Sequence, residues 1–114
     1  MSKQRQKGTT AETAVVQFLE EHGFKAMRNP LQGAKDKGDI NLYDVPVVIE
    51  VKNCAKMELA EWIKEAETER VNAKARSGVV WHKRRRKASP GDWYVTMDGN
   101  TFLDYLELVE NLYS

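Results

Sequence analysis

Three charged side chains stand in or beside an apolar stretch of the chain, GDINLYDVPVVIEVK, residues 38–52. Asp39 lies near its start, and Glu50 and Lys52 alternate with aliphatic residues at its end. A run this apolar is predicted to be buried, and burying an unpaired carboxylate or ammonium is costly. These charges are therefore predicted to have partners or a chemical task.

The spacing of these residues indicates what that task is. Side chains alternate across a β-strand, so Glu50 and Lys52 point to one face, and a turn at 44–46 can bring Asp39 to it, although the sequence does not fix the register. Two adjacent carboxylates repel each other unless a cation lies between them, and carboxylate oxygens suit Mg²⁺. Such a cation lowers the pKa of bound water, and a lysine can orient that water or stabilise a charged transition state. The three residues together indicate metal-assisted hydrolysis of a phosphodiester.

A simpler interpretation of Glu50 and Lys52 stays open. Glu-x-Lys triplets arise by chance in a chain with 31% charged residues, and a solvent-facing Glu–Lys pair on an antiparallel sheet would explain this one. The Gly38-Asp39-Ile40 triplet and the apolar setting of 47–51 favour the catalytic interpretation.

The first element that must position these residues is an N-terminal helix. Apolar spacing predicts it over Thr10 to His22, begun by a capping box of Thr9 and Glu12 and ended by Gly23. Residues 1–8 are predicted to form a flexible basic arm.

The remaining pattern predicts a mixed central β-sheet flanked by α-helices, in the order α-β-β-β-α-β-β-α. The predicted strands are 24–28, 39–43, 47–53, 79–83 and 92–97, and the later helices are 57–77, ended by Gly78, and 102–112, capped by Thr101. Residues 29–33 are predicted to end the first strand. A polar loop is predicted at 34–38 and a basic loop at 84–91. The last helix is apolar on more than one face. Either the rest of the small domain packs around it, or a partner chain covers one of its faces.

Composition places limits on these interpretations. The 114 residues suffice for one domain, 1–114, and no apolar run is long enough to span a membrane. The single cysteine, Cys54, cannot form an internal disulfide, which fits a reducing compartment. The net charge of +1 hides two basic clusters, at 3–7 and 83–87. They are compatible with a nucleic-acid-binding face, although a solvated loop also explains the second.

At this point the chain resembles the PD-(D/E)XK nuclease superfamily. The resemblance is carried by Gly38-Asp39-Ile40 and by Ile49-Glu50-Val51-Lys52, with Lys37-Gly38 where the superfamily usually has a proline. The N-terminal half is similar to the archaeal-type Holliday junction resolvases. The matching residues are Lys7-Gly8-Thr9, Glu12, His22-Gly23-Phe24, Arg28 and Gly33. This similarity covers roughly residues 5–54.

The resemblance implies a restriction-endonuclease-like core and a role for each matching residue. Asp39, Glu50 and Glu12 would bind Mg²⁺, which Mn²⁺ can replace, Lys52 would be the catalytic lysine, and Thr9 would lie near the scissile phosphate. For Glu12 and Thr9, the capping box is the simpler alternative. The residues expected to bind DNA are all basic: Arg5, Lys7, Arg28, Lys83, Arg84, Arg85 and Arg86. The family acts as a homodimer that places two active sites on a four-way junction.

Three functions remain in competition at this stage. The first is a metal-dependent endonuclease that resolves Holliday junctions by paired hydrolysis. The second is a PD-(D/E)XK nuclease that acts on another DNA in repair or replication, and the third is a DNA-binding protein without catalysis. All three predict an intracellular protein with no membrane partner, in the cytoplasm or nucleoid, or in the host cytoplasm if the source is a virus.

Overall fold

The computed structural model describes residues 3–29 and 37–114, and it leaves out the side chains of residues 4 and 5. Its elements follow the predicted order. In chain order they are helix α1 (Lys3–Glu21), strands β1 (Ala26–Arg28), β2 (Ile40–Leu42) and β3 (Val47–Lys52), helix α2 (Leu59–Ala73), strand β4 (Ser77–His82), a 3-10 helix (Pro90–Asp92), strand β5 (Tyr94–Thr96) and helix α3 (Gly99–Tyr113). Most of the segment predicted to end the first strand and of the polar loop after it, residues 30–36 with Gly33, lies outside the described residues.

The five strands form one mixed sheet in the order β1-β2-β3-β4-β5. Strands β3 and β4 are parallel and are connected through helix α2, whereas the other neighbouring strands are antiparallel. A parallel pair needs such a crossover because its strands run the same way. The arrangement confirms the predicted mixed sheet flanked by helices and is that of a restriction-endonuclease-like fold.

The two faces of the sheet bury different side chains. On one face, helix α1 contributes Ala11 and Val15 to a core that includes Ile49 and Val51 of β3. On the other face, helix α2 packs Trp62 and Ala66 against Val80 of β4. Since alternate residues of β3 face opposite sides, the strand turns Glu50 and Lys52 towards α2.

Helix α1 begins earlier than the sequence pattern predicts. It starts at Lys3, so the predicted flexible arm over 1–8 is wrong from Lys3 onward, while residues 1 and 2 lie outside the description. Thr9 is inside the helix, where its carbonyl accepts a bond from Thr13 Oγ1 over 2.9 Å, so the predicted capping box is also wrong. The Lys, Gln and Arg residues of 3–7 favour helix, which lets α1 continue through the supposed cap.

Helix α2 ends sooner than predicted, and Gly78 does not end it. Lys74 terminates the helix in the left-handed conformation, with φ 56°. Gly78 belongs to β4, where a Cβ atom would lie 2.6 Å from the carbonyl oxygen of Ala66. The glycine is therefore needed because β4 passes directly beneath the helix.

Helix α3 is capped by Asp98 and not by Thr101 as predicted. The Asp98 carboxylate accepts a bond from the backbone N–H of Thr101 over 2.8 Å. Tyr105 holds the helix to the sheet through a 2.9 Å hydrogen bond with Ser77. Within residues 3–29 and 37–114, no helix combines the length and apolar character that a membrane crossing requires.

Candidate nuclease site

Strand pairing brings Asp39 and Glu50 together. Ile40 of β2 pairs with Ile49 of β3 in antiparallel register, and one step further along this register Asp39 faces Glu50. Asp39 Oδ2 accepts a hydrogen bond from the backbone N–H of Val51 over 2.7 Å, which orients the carboxylate. Residues directly opposite in an antiparallel pair share a face, so the two acids lie side by side.

Gly38 allows this close approach. It has φ +90°, and a Cβ atom there would overlap Cγ1 of Val48. A side chain at this position would push the start of β2 away from β3. The glycine before Asp39 therefore helps to place its carboxylate against the neighbouring strand.

Glu50 is a buried carboxyl group in an acidic environment. Its exposed fraction is 5%. Burial, followed by the charge and hydrogen bond of Asp39 and then those of Glu69, raises the pKa of Glu50 to about 12. Its Oε1 atom is buried and finds no hydrogen-bond partner among the described residues. Glu50 therefore requires either a proton or a cation at neutral pH.

Lys52 lies beside this carboxyl and is held by helix α2. Its Nζ atom donates a hydrogen bond to Glu65 Oε2 over 2.8 Å and lies 3.7 Å from Glu50 Oε2. Burial alone would lower the pKa of Lys52, but the hydrogen bond to Glu65 and the charges of Glu50 and Glu65 raise it above its usual value. The side chain is therefore an ammonium ion at neutral pH.

Two acidic residues of α2 complete the cluster, and sequence reasoning missed both. Carboxylate oxygens of Glu50, Glu65 and Glu69 all lie within 4.8 Å of one another. Glu69 is buried although its side chain is ionisable. The sequence did contain a signal that Glu69 is buried. It follows Trp62 and Ala66 at the spacing that places all three on one face of the helix.

Glu12 and Thr9 of α1 meet Arg28 at the edge of the sheet. Arg28 Nε donates to Glu12 Oε1 over 3.0 Å, and its Nη2 atom donates to Thr9 Oγ1 over 3.3 Å. Burial and then the charge of Asp39 raise the pKa of Glu12, while Arg28 opposes both effects. Glu12 is therefore close to Asp39, but it does not belong to the group formed by Glu50, Glu65 and Glu69. Arg28, predicted to bind DNA, donates its hydrogen bonds to partners within the chain.

Five of the seven basic residues predicted to bind DNA line a second feature, a cleft of about 550 Å³. It opens where β3 and β4 end, next to Lys52. The residues that line it are Lys7, Asn53, Cys54, Ala55, Met57, His82, Lys83, Arg84, Arg85, Arg86 and Tyr94. The side chain of Arg5, also predicted to bind DNA, lies outside the described part of the chain.

The basic side chains of this cleft are not equally free to bind a ligand. Arg84 lies over the ring of Tyr94, 4.5 Å from its centroid, and donates to the carbonyl of Asp92 over 2.8 Å. Arg85 and Arg86 are exposed. His82 Nε2 forms a hydrogen bond with Thr96 Oγ1 over 2.7 Å, and burial lowers the pKa of His82. The cleft thus combines fixed and exposed cations next to the acidic cluster.

The donor set of the acidic cluster fits a divalent cation. All the candidate ligands are carboxylate oxygens, the type that Mg²⁺ and similar hard cations prefer. The Glu50 oxygen that has no hydrogen-bond partner within residues 3–29 and 37–114 is a further indication, since a bound cation would satisfy it. An acidic cation site beside a basic cleft suits the cleavage of a polyanion.

Comparison with known proteins agrees with this chemistry. A family model described as archaeal Holliday junction resolvase (hjc) matches residues 3–91. Searches of curated proteins and of solved structures gave no match. The matched region contains Glu12, Asp39, Glu50 and Lys52 and ends before β5 and α3. Because the match covers well over half of the sequence, the chain belongs to the archaeal Holliday junction resolvase family.

Proposed function

We propose that this protein is a Mg²⁺-dependent endonuclease that resolves Holliday junctions by paired phosphodiester hydrolysis. The observation that carries the proposal is the placement of Asp39, Glu50 and Lys52 on neighbouring strands next to a basic cleft. Membership of the resolvase family supports both the reaction class and the substrate.

In this proposal the acidic residues hold the cation. Asp39 and Glu50 would be its main ligands, with Glu12 approaching from α1 on the side of Asp39. A bound Mg²⁺ ion would lower the pKa of a water molecule and stabilise negative charge on the phosphate. Mn²⁺ has the same preference for oxygen ligands and is expected to substitute.

Lys52 contributes a fixed positive charge. The hydrogen bond to Glu65 holds its ammonium beside Glu50. From there it can orient the attacking water and stabilise the charge that develops on the phosphate oxygens. Thr9, bonded to Arg28, is the hydroxyl placed nearest the DNA backbone in this proposal.

The basic cleft would hold the DNA backbone. Lys7, Lys83, Arg85 and Arg86 line it with Arg84, and contacts to phosphates position a duplex without reading its sequence. Binding would depend on the shape of the junction and would weaken with salt. The proposed enzyme works inside a cell, where recombining DNA is found.

Paired cleavage requires two active sites, and we assign the dimer contact to α3. This helix exposes a stripe of apolar residues, namely Phe102, Leu106, Val109 and Tyr113. They recur at helical spacing, and Tyr105, which forms the hydrogen bond to Ser77 of the sheet, borders this stripe. A contiguous apolar stripe on the surface is typical of a protein–protein contact, and a second copy of this chain would cover it.

The test is cleavage of a labelled four-way junction beside a linear duplex made from the same arms. Wild type, Asp39→Asn and Glu61→Gln would each be assayed with Mg²⁺ and with EDTA. Paired nicks near the crossover, dependent on Mg²⁺ and absent in Asp39→Asn, are expected. Glu61 is exposed in the first turn of α2, so its variant should cut normally.

Other outcomes point to the competing functions. Equal cleavage of junction and duplex would keep the nuclease and reject its selectivity for the junction. Junction binding without cleavage in any metal would reject catalysis and leave a DNA-binding protein.

A further inference from the structure

We propose that Glu50, Glu65 and Glu69 form a second divalent-cation site between β3 and α2, which shares Glu50 with the site of Asp39. This inference rests on the proposed function, because it extends the metal centre of the same nuclease. It adds two ligands from α2 that the motif of Asp39, Glu50 and Lys52 does not contain.

The geometry of the three carboxyl groups carries the proposal. One oxygen from each lies within 4.8 Å of the others, a spacing that a single bound cation can bridge. They come from two elements that pack against each other, since Trp62 and Ala66 fix α2 on the sheet. The site is therefore built by the fold and does not depend on a mobile surface loop.

The environment of Glu50 is an independent observation. The residue is 95% buried, since its exposed fraction is 5%, and its Oε1 atom has no hydrogen-bond partner in the described part of the chain. A buried carboxylate oxygen normally has a partner. A cation held jointly with Glu65 and Glu69 would supply it.

Charge balance agrees with a divalent ion. Lys52 is the ammonium next to these carboxylates, at 2.8 Å from Glu65 and 3.7 Å from Glu50. With Asp39, whose site shares Glu50, four carboxylates face this one ammonium, which leaves three negative charges for the two cation sites together. Each carboxylate has two oxygens, so Glu65 can hold Lys52 through one oxygen and a cation through the other.

The two sites use different neighbours. Glu12 approaches Asp39 and is bonded to Arg28, whereas Glu65 and Glu69 approach Glu50 from α2. Glu50 is next to both groups because it faces Asp39 across the strands and α2 above them. This separation lets one site be removed while the other is kept.

The experiment counts bound Mn²⁺ on the full chain without DNA, by electron paramagnetic resonance of free Mn²⁺ and by calorimetry. Wild type is expected to bind two ions per chain. Asp39→Asn and the double variant Glu65→Gln/Glu69→Gln are each expected to keep one, with the other weakened more than about tenfold. Glu61→Gln, a matched change on α2, should keep two. Glutamine preserves side-chain volume, and thermal unfolding would verify that each variant is folded.

An unchanged ion count and affinity in Glu65→Gln/Glu69→Gln would overturn the inference. So would a wild-type protein that binds a single ion. Because this measurement uses no DNA, it is independent of the cleavage assay. Two bound ions in a protein that never cuts a junction would reject the proposed function and leave the second site in place.

Discussion

Lys52 of β3 is held in place by Glu65 of α2, whose Oε2 atom accepts its hydrogen bond over 2.8 Å. The link crosses from the sheet to the helix that packs on it. Glu50 is the farther partner of the lysine, at 3.7 Å. Glu65 therefore determines where the only ammonium of the acidic cluster lies, in the part of the chain that the structure describes.

Replacing Glu65 with Gln is expected to slow cleavage without weakening junction binding. The amide removes the nearer of the two carboxylates that contact Lys52, and a small displacement of a catalytic group can reduce the rate about 10- to 100-fold. Glu65 does not line the basic cleft, so the dissociation constant should not change. Single-turnover cleavage at saturating enzyme, together with a binding titration, separates the two effects.

The matched control for this change is Glu61→Gln, which alters an exposed carboxylate on the same helix. If the Glu65 variant cuts at the wild-type rate, Lys52 does not depend on this contact. If saturating Mg²⁺ fully restores the rate, Glu65 acts on the metal and not on the lysine.

The buried Glu50 predicts that the metal-free protein loses stability as the pH rises. Burial and the neighbouring carboxyls raise its pKa from 4.5 to about 12, so the folded state binds the proton more tightly than the unfolded chain. Between these values unfolding releases a proton, and the free energy of unfolding falls by up to about 1.4 kcal/mol per pH unit. Urea unfolding in EDTA from pH 5 to pH 9 measures this slope.

Two variants test the assignment of that slope. Glu50→Gln should flatten it, whereas Glu61→Gln should leave it intact. Mg²⁺ added at pH 8 should stabilise wild type by replacing the proton and should have less effect on Glu50→Gln. A wild-type slope of zero in EDTA would show that Glu50 is not protonated in the folded state.

The sequence could predict the part of the site that depends on one strand pair. Alternation within a strand places Glu50 and Lys52 on one face, and a hairpin-like turn brings Asp39 opposite. The structure places all three there. The periodic apolar residues likewise predicted the order of helices and strands.

The rest depends on contacts between elements that are distant in sequence. Lys52 meets Glu65 only because α2 packs over β3, and Arg28 meets Glu12 only because α1 lies beside β1. One local signal led to a wrong prediction. The Thr9–Glu12 pattern suggested a helix start, but the residues before it have high helix propensity and extend α1 to Lys3. The helix propensity of several consecutive residues outweighed a single capping pattern.

Arg28 is expected to act through Glu12 and not by binding DNA. Its hydrogen bond and charge lower the pKa of Glu12, against burial and Asp39, which raise it. In Arg28→Gln the pKa of Glu12 should therefore rise, and a smaller fraction of Glu12 is ionised at low pH. Cleavage by this variant should fall more at pH 5.5 than at pH 8, with junction affinity unchanged. A loss of affinity that is equal at both pH values would instead assign Arg28 to the DNA backbone.

The exposed arginines of the basic cleft are expected to account for part of the salt dependence of binding. Arg85 and Arg86 are exposed, whereas Arg84 is held by Asp92 and Tyr94. In Arg85→Gln/Arg86→Gln, the slope of log affinity against log salt should become shallower by about 0.9 for each phosphate that no longer pairs with an arginine. Fluorescence anisotropy with a junction, at salt concentrations between about 50 and 200 mM, measures the slope.

The control for this prediction removes the same charge elsewhere. Lys74 and Arg76 lie between the end of α2 and the start of β4, at the opposite end of the sheet from the cleft. Lys74→Gln/Arg76→Gln should leave the slope close to wild type. Equal changes in both double variants would mean that net charge, and not the cleft, controls binding.

The exposed stripe of α3 predicts a dimer that one substitution can separate. Leu106 is 48% exposed and lies between Phe102 and Val109 on that stripe. Leu106→Glu would place a charge in the centre of the contact, where it loses water without gaining a partner. Because the side chain is already half exposed in the single chain, the fold should be retained.

Light scattering after size exclusion should therefore show a dimer for wild type and a monomer for Leu106→Glu. Glu107→Gln, which changes an exposed neighbour, should remain a dimer. On a junction, the monomer should make single nicks where wild type makes paired nicks. A monomeric wild type, or a Leu106→Glu protein that stays dimeric, would place the contact outside α3.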